Sequence, residues 1–598
     1  MSKRTLTLLA LIFVLLLAGC KERGTDDMTG NTDANETADA ADSTVAPGTS
    51  DAKETVTDTE ANSDTTGAAD TAGTPDTSEP IGAKTTINVT EHGVSAGDLS
   101  AASENTKKLN KLINEAAENT VLSFPKGVYY LDGSIVFQGK KNITLKGDDA
   151  RLINTLYNPA DGADSTKYTK SNIIGLSGCE YITIDGFSAD YLFHTSADGI
   201  IKSHENDKTY VTVFDEFVSG EKKPLSGGEY VFAATYFDSY GTVQSDEAYF
   251  GAKLEAAGNK LFCIEGTLGK VGQQITLRFS SGTYAAPMVY ISCVNGLTVR
   301  NFSVISCPSA VFYAPSGSED FSFENVTIAP ADGSRALLGT NEDCIHIKGL
   351  RGTLTIKNCS FIGIGDDALN VHSRIAPVNK TDGNSVTSLD AFYNTSLSDD
   401  WGKSGDMVLF YDKNYKELGT ATLKSIKGGK LTFDSLPNGV DTSCFMQNLA
   451  FSPETTVSGC KVERGRARGF LLQTKKATVK NCSFKNLRLS AILVSPDFDS
   501  WYEGGFADDV LIENCVFEKC ALHEMLKSAG VVTVTECHDF KTLVPDGVQP
   551  HKSVRLINNT FTDCPSYALY AHAVQKVVFD GSTVTSCGGK TSLIGCGK

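Results

Sequence analysis

Leu354-Thr355-Ile356-Lys357-Asn358-Cys359 alternates apolar and polar residues, then sets an Asn before a small apolar residue. Alternation with a period of two belongs to a β-strand with one buried face. Asn at its end suits a tight bend, because it tolerates left-handed backbone. The phrase recurs upstream as Ile143-Thr144-Leu145-Lys146-Gly147, Ile182-Thr183-Ile184-Asp185-Gly186-Phe187, Leu297-Thr298-Val299-Arg300-Asn301-Phe302 and Phe321-Ser322-Phe323-Glu324-Asn325-Val326. Downstream it returns as Ala477-Thr478-Val479-Lys480-Asn481-Cys482, with further copies near 511, 554 and 577. Such repetition marks a solenoid in which each coil buries one face against its neighbours. Strand content selects a parallel β-helix over helical repeats. The expected fold is therefore all-β, a right-handed parallel β-helix, with the bend Asn able to stack as a ladder of amides.

Working outward, residues 100–120 change to a helical period that puts Leu109, Leu112, Ile113 and Ala116 on one face, which predicts a short N-terminal helix capping the first coil. Two stretches interrupt the repeat, at about 196–290 and 374–450. Both alternate apolar and polar residues, as in Met407-Val408-Leu409-Phe410-Tyr411, and read as small β insertions. Cysteines recur in one local context, Asn358-Cys359, Asn481-Cys482 and Asn514-Cys515, each followed one residue later by Phe, and read as small buried hydrophobes. Without Cys-x-x-Cys spacing or a His-rich cluster, a zinc site is not expected.

Residues 20–84 are rich in Thr, Asp, Ala, Ser and Gly with almost no large apolar side chains, a composition that cannot offset the entropy of ordering. They read as a disordered tether, and 85–598 as the solenoid. The formal net charge is −18, but residues 21–82 alone carry fifteen Asp and Glu against three Lys and Arg, a net of −12. The solenoid is only mildly acidic and has no basic stripe, so nucleic acid is excluded as an expected partner. At the start, Lys3 and Arg4 precede an apolar run from Leu6 to Leu17, the pattern of an export signal over 1–19. Leu17-Ala18-Gly19-Cys20 resembles the bacterial lipobox. That resemblance implies cleavage before Cys20, acylation of its thiol, and an extracytoplasmic, surface-exposed protein held to the cell envelope by lipid.

The chemistry concentrates in Asn341-Glu342-Asp343-Cys344-Ile345-His346 and Gly365-Asp366-Asp367-Ala368-Leu369-Asn370-Val371-His372. Asp343 and Asp366 are 23 residues apart, about one short coil, which predicts carboxylates on adjacent rungs spaced by roughly 4.8 Å. Asp366 and Asp367 would face opposite sides of a regular strand, so both serve one site only if Gly365 opens a bend. Clustered carboxylates push their pKa values apart, as a glycosidase acid and base require. A solvated turn or a calcium site are the other readings of the same residues. His346 and His372 are candidate donors to substrate hydroxyls, with His372 preferred. Arg466, Arg468 and Gln473 in a guanidinium-rich coil could hold a ring hydroxyl or a catalytic carboxylate. Trp501-Tyr502-Glu503 offers aromatic faces for sugar stacking beside a carboxylate.

At Asp343-Cys344-Ile345-His346, Asp366 through His372, Arg466-Ala467-Arg468-Gly469 to Gln473, and Trp501-Tyr502-Glu503, the sequence resembles glycoside hydrolase family 110 over most of 85–598. These are β-helical α-galactosidases acting on terminal α-1,3-linked galactose. The resemblance implies an inverting exo-α-galactosidase with no metal or other cofactor. Asp343, Asp366 and Asp367 would be its acidic residues, with His346, Asn370, His372, Arg466, Arg468, Gln473, Trp501, Tyr502 and Glu503 around the substrate. The sequence departs from that pattern at Cys344 and Ser373, where Gly is expected. Asn341-Glu342-Asp343 and Gly365-Asp366-Asp367 also resemble the polygalacturonase family, although its Gly-His-Gly and Arg-x-Lys elements are not evident. A non-catalytic, glycan-binding surface lipoprotein is the reading of a different class. Inversion requires carboxyl groups roughly 6.5–9.5 Å apart, whereas about 5 Å indicates retention.

Overall fold

The structure is a computed structural model that describes residues 85–161, 172–237, 243–245, 249–279, 285–390, 394–498, 501–524, 526, 529–536 and 544–597. The export signal, Cys20 and the tether lie outside the described residues. The described chain is a right-handed parallel β-helix. One sheet runs through Ile135–Gln138, Ile174–Ser177, Val289–Ser292, Phe312–Ser316, Ile345–Lys348, Leu369–Pro377, Phe470–Gln473, Ile492–Val494, Gly530–Val534, Tyr567–His572 and Gly589–Ile594. Each is parallel to the next. The repeated phrase supplies the other walls, where Leu297, Phe321, Leu354, Thr455, Ala477, Val510, Val554 and Val577 occupy equivalent positions on successive coils.

The bends explain the Asn of the repeat. Asn142, Asn301, Asn325, Asn358, Asn481, Asn514 and Asn558 all have φ between 51° and 54°, the left-handed region that Asn enters at least cost among residues with a side chain. Asn325 donates its amide to Asn301 Oδ1 at 3.2 Å, one step of the expected ladder. Inward-facing apolar residues form one continuous core from Val89 to Val574, and the repeat cysteines 359, 460, 482 and 515 lie within it. Every described cysteine carries a free thiol.

The helix spans Ala102–Glu115 after a 3-10 turn, Leu99–Ala101. Its buried face, with Leu109, Leu112 and Ile113, joins the solenoid core, and Asn110 bridges Ser134 O and Val136 N at 2.9 and 2.8 Å. The helix thereby covers apolar surface that the first coils would otherwise expose. Antiparallel strands from Ser196–Glu205 to Gln274–Arg278 form a separate sheet with its own apolar core. A second antiparallel group, from Lys380–Asp382 to Phe445–Asn448, encloses another core around Trp401. Leu369–Pro377 belongs to both the solenoid and this group. Its first residues pair with Ile345–Lys348 and Phe470–Gln473, while Ile375–Pro377 pair antiparallel with Phe445–Gln447.

Candidate active site

In the sheet that carries the site, Ile345, Leu369 and Phe470 are in register, as are His346, Asn370 and Leu471. Ile345, Ile347, Leu369, Val371, Phe470 and Leu472 enter the core, so the alternate residues face outward. The turns that precede these strands stack as well. Cys344 N donates to Asp367 O at 2.9 Å, and Ala368 N to Gly469 O at 3.0 Å. This register makes Asp343, Asp367 and Arg468 one row across three coils. The expected rung partner of Asp343 was Asp366, and the observed one is Asp367, because the coil is 24 residues long at this point. Asp366 reaches the same place through a bend at residues 365–368. A side chain at Gly365 would place Cβ 2.3 Å from both the carbonyl carbon and oxygen of Asn341. Only glycine lets the two coils approach this closely, and the bend it permits turns both aspartates to one side.

Each carboxylate is held differently. Asp343 Oδ1 accepts the Asp367 N–H at 2.8 Å, and its Oδ2 lies 2.9 Å from His346 Nδ1. Asp367 Oδ1 accepts both the backbone N–H and the Nε–H of Arg468, each at 2.9 Å. Asp366 has a single 3.2 Å contact from the Arg466 guanidinium, whose Nε donates to Gly365 O. The first insertion braces the site from behind, since Arg278 donates to Asn341 O at 2.8 Å and Asn341 to Thr195 O at 3.0 Å.

The nearest oxygens of Asp343, Asp366 and Asp367 all lie within 4.8 Å of one another. Three like charges so close in a largely buried site cannot all persist. Burial raises Asp366, against the pull of Arg466, and Asp343 raises it further. Burial likewise pushes Asp367 up to about 7, against Arg468 and with help from Asp366 and Asp343. The two titrate as a pair that retains a proton near neutrality. Oxygen clusters of this size also suit hard cations. Here, however, Arg466 and Arg468 already supply the positive charge beside the carboxylates.

The trio opens into a pocket of about 500 Å³ of space that includes open solvent, lined also by His346, Asn370, Arg468, Leu471, Gln473, Trp501 and Glu503. Glu503–Gly504 pairs antiparallel with Ser373–Arg374, and Trp501 N donates to Asp497 Oδ2, which fixes this segment over the end of the sheet. Asn370 Oδ1 and Gln473 Oε1 are buried acceptors with no protein partner. Acceptors left so are suited to meet substrate hydroxyls.

No family model matches the chain. It is similar to alpha-1,3-galactosidase B of Bacteroides thetaiotaomicron, 26% identical over 475 residues that cover 72% of this chain and 74% of that protein. It is also similar to alpha-1,3-galactosidase A of Bacteroides fragilis, 27% identical over 278 residues, 45% of each chain. Among solved structures, the family 28 exopolygalacturonase of Yersinia enterocolitica aligns over 86% of this chain and 78% of its own, with 10% identity and a TM-score of 0.40.

Of the residues singled out from sequence, the structure brings Asp343, Asp366, Asp367, His346, Asn370, Arg468, Gln473, Trp501 and Glu503 to one pocket. Three others are placed differently. His372, preferred to His346 as a substrate donor, is fully buried behind it, with Nε2 3.1 Å from His346 Nε2. The order of the two histidines is thus reversed, because His346 lies two register positions nearer the aspartates. Arg466 does not line the pocket; only 4% exposed, it holds the Asp366 carboxylate and Gly365 O, the second of the two roles expected of it. Tyr502 packs on the apolar cluster of Tyr411, Phe498 and Phe506 and does not line the pocket, since its φ of 55° turns it away from Trp501. Leu471 was missed. Its signal was the alternation of Phe470-Leu471-Leu472-Gln473, which makes it an outward apolar residue on a sheet whose outward face is otherwise polar here.

Proposed function

We propose that the protein is an inverting, metal-independent exo-α-galactosidase that removes terminal α-1,3-linked galactose from glycans. The observation that carries this reading is the unequal holding of three converging aspartates. Asp366 has the fewest donors, a raised pKa and the most open side chain, 28% exposed against 13% and 1% for Asp343 and Asp367. It is therefore the general acid, giving its proton to the glycosidic oxygen as the bond to the anomeric carbon breaks. Asp343 and Asp367, tied together through the Asp367 N–H, orient a water between them and take its proton as its oxygen bonds to the anomeric carbon. The names of the similar Bacteroides proteins support α-1,3-linked galactose as the substrate.

A second reading rests on one distance. Nearest-oxygen spacings within 4.8 Å fall below the range usual for inversion and near the value of about 5 Å usual for retention. Against retention, a carboxylate bound as Asp343 and Asp367 are is a weak nucleophile, though still able to orient water. Proton NMR of the purified protein acting on an α-1,3-linked galactobioside decides between them. Early β-galactose is the expected result, and early α-galactose establishes retention. Release of galacturonate from polygalacturonate but no galactose would move the assignment to a polygalacturonase-like enzyme. Saturable glycan binding without turnover would make the protein a binding lipoprotein.

The same reading puts the enzyme on the outside of the cell, held by a lipid on Cys20 and a tether over residues 20–84. Metabolic labelling with a radioactive fatty acid is expected to mark the wild-type protein, and not Cys20→Ala. Labelling of both would remove Cys20 as the attachment point.

A further inference from the structure

Behind Asp343 lies a chain of buried ring nitrogens that the hydrolytic scheme does not use. His372 Nδ1 is 3.0 Å from Ser373 O, which can only accept, so this nitrogen carries a hydrogen. His372 Nε2 is 3.1 Å from His346 Nε2, and His372 is 0% exposed, with no room for water to mediate. Two bare nitrogens cannot face each other at that distance, so a hydrogen lies between them. His346 Nδ1 in turn is 2.9 Å from Asp343 Oδ2, while Asp343 Oδ1 already accepts an N–H from Asp367. A hydrogen donated from His346 Nε2 to His372 and another from its Nδ1 to Asp343 Oδ2 together make His346 doubly protonated.

We propose that His346 is a positioning residue: held as an imidazolium between Asp343 and His372, it fixes the Asp343 carboxylate within the aspartate trio. The retained proton of the trio is thereby confined to the Asp366 and Asp367 pair. The role of that confinement in turnover rests on the proposed hydrolysis, whereas the protonation state does not.

On its own coil His346 meets Asp343 and Lys348, across the sheet His372, and from the 501–504 segment Glu503, which is 3.3 Å from His372 Nε2. Tyr313, on the preceding coil, meets His346 in a T-shaped contact with centroids 5.3 Å apart. Burial alone would lower His346, but the Asp343 hydrogen bond and charge outweigh it and, with Glu503, leave its pKa raised despite Lys348. His372 is driven well down by burial first, then by His346, Lys348 and Arg374, so it stays the neutral acceptor of the two.

The test has one arm without turnover. In the protein labelled with nitrogen-15 in its nine histidines, NMR at pH 8 is expected to show one imidazolium, with both ring nitrogens protonated, that vanishes in His346→Gln. If that variant does not fold, His372→Gln serves instead and is expected to shift the same signal. A wild-type spectrum with all histidines neutral at pH 8 overturns the proposal, whatever the protein hydrolyses. In the second arm, His346→Gln is expected to move the acid limb of kcat/KM upward by about one to two pH units, the usual effect of an adjacent opposite charge. A uniform loss with the acid limb unmoved would reduce His346 to a structural part. Absence of any galactosidase activity in wild type would count against the functional reading alone.

Discussion

The coils at 345–377 and at 567–572 both send apolar residues into the core, Ile345, Ile347, Leu369 and Val371 in one and Leu569 and Ala571 in the other, and differ on the outside. Ile345–Lys348 is buried at every position, and Leu369–Pro377 at all but its last. Tyr567–His572 keeps partly exposed positions, and Gly589–Ile594 is half open or exposed throughout. Repetition accounts for what the two regions share, an apolar column closed by bends. The difference comes from elsewhere in the chain: the second insertion and the segment around Glu503 cover the outward face of the first region. A polar row that would be solvated on an open coil becomes buried there and must find partners. Those enforced partnerships, Asp343 with His346 and Asp367 with Arg468, constitute the site.

Removing the acid breaks the comparison where the effect is largest. Asp366→Asn is expected to lower kcat/KM on a galactobioside by about 10²–10⁴-fold, the usual contribution of general acid catalysis, with the fold retained. On an aryl galactoside with a good leaving group the loss should be much smaller, because such a group departs without a proton. Equal losses on both substrates would assign the acid elsewhere. The complementary change falls on the scaffold. Phe517 stacks between Phe484 and Phe561 with centroids at 4.9 and 4.6 Å and interplanar angles of 7°. Phe517→Ala should cost about 3–5 kcal/mol in denaturant unfolding, as large core truncations do. The activity of each folded molecule should stay unchanged; a large loss there would mean that the site and the distant coils are coupled.

The same contrast explains what could be read from sequence. Period-two phrases such as Leu354-Thr355-Ile356 report burial against the neighbouring coil, a local property that each strand carries by itself. The bend Asn reports a backbone angle, which is equally local. Asp343, Asp366 and Asp367 were legible as a group because Gly365 and a coil-length spacing accompany them. Their pairing was misjudged by one residue because register depends on where the turns of two coils begin, which neither coil encodes alone. His372 and Tyr502 were misplaced for a related reason. Whether an outward residue meets solvent, substrate or another side chain depends on what covers the sheet. That cover comes from residues 374–450 and 501–504, far along the chain.

A smaller effect sharpens the substrate side. Gln473 Oε1 is buried in the pocket wall without a protein partner. If a sugar hydroxyl donates to it, Gln473→Ala should raise KM about tenfold, in line with roughly 1–3 kcal/mol for a hydrogen bond lost in a buried site. Isothermal titration of galactose should show the same weakening. Unchanged affinity would leave that acceptor without a role in recognition.

The smallest expected effect concerns stability, and its sign follows from the raised pKa of Asp367. In the folded protein burial pushes this group up to about 7, while in the unfolded chain it titrates as an ordinary aspartate near 3.9. Between those values the folded state binds more protons than the unfolded state. Stability therefore falls as pH rises from about 4 to about 7, and the full penalty persists above that window. Asp367→Asn keeps an Oδ1 that can still accept both Arg468 donors, and it removes the charge. The variant should gain on wild type at pH 8, by a few degrees in Tm at most for a chain of this size. Near pH 4 the two should melt together, since the wild-type carboxyl is then protonated. A variant less stable than wild type at pH 8 would show that the ion pair with Arg468 outweighs burial.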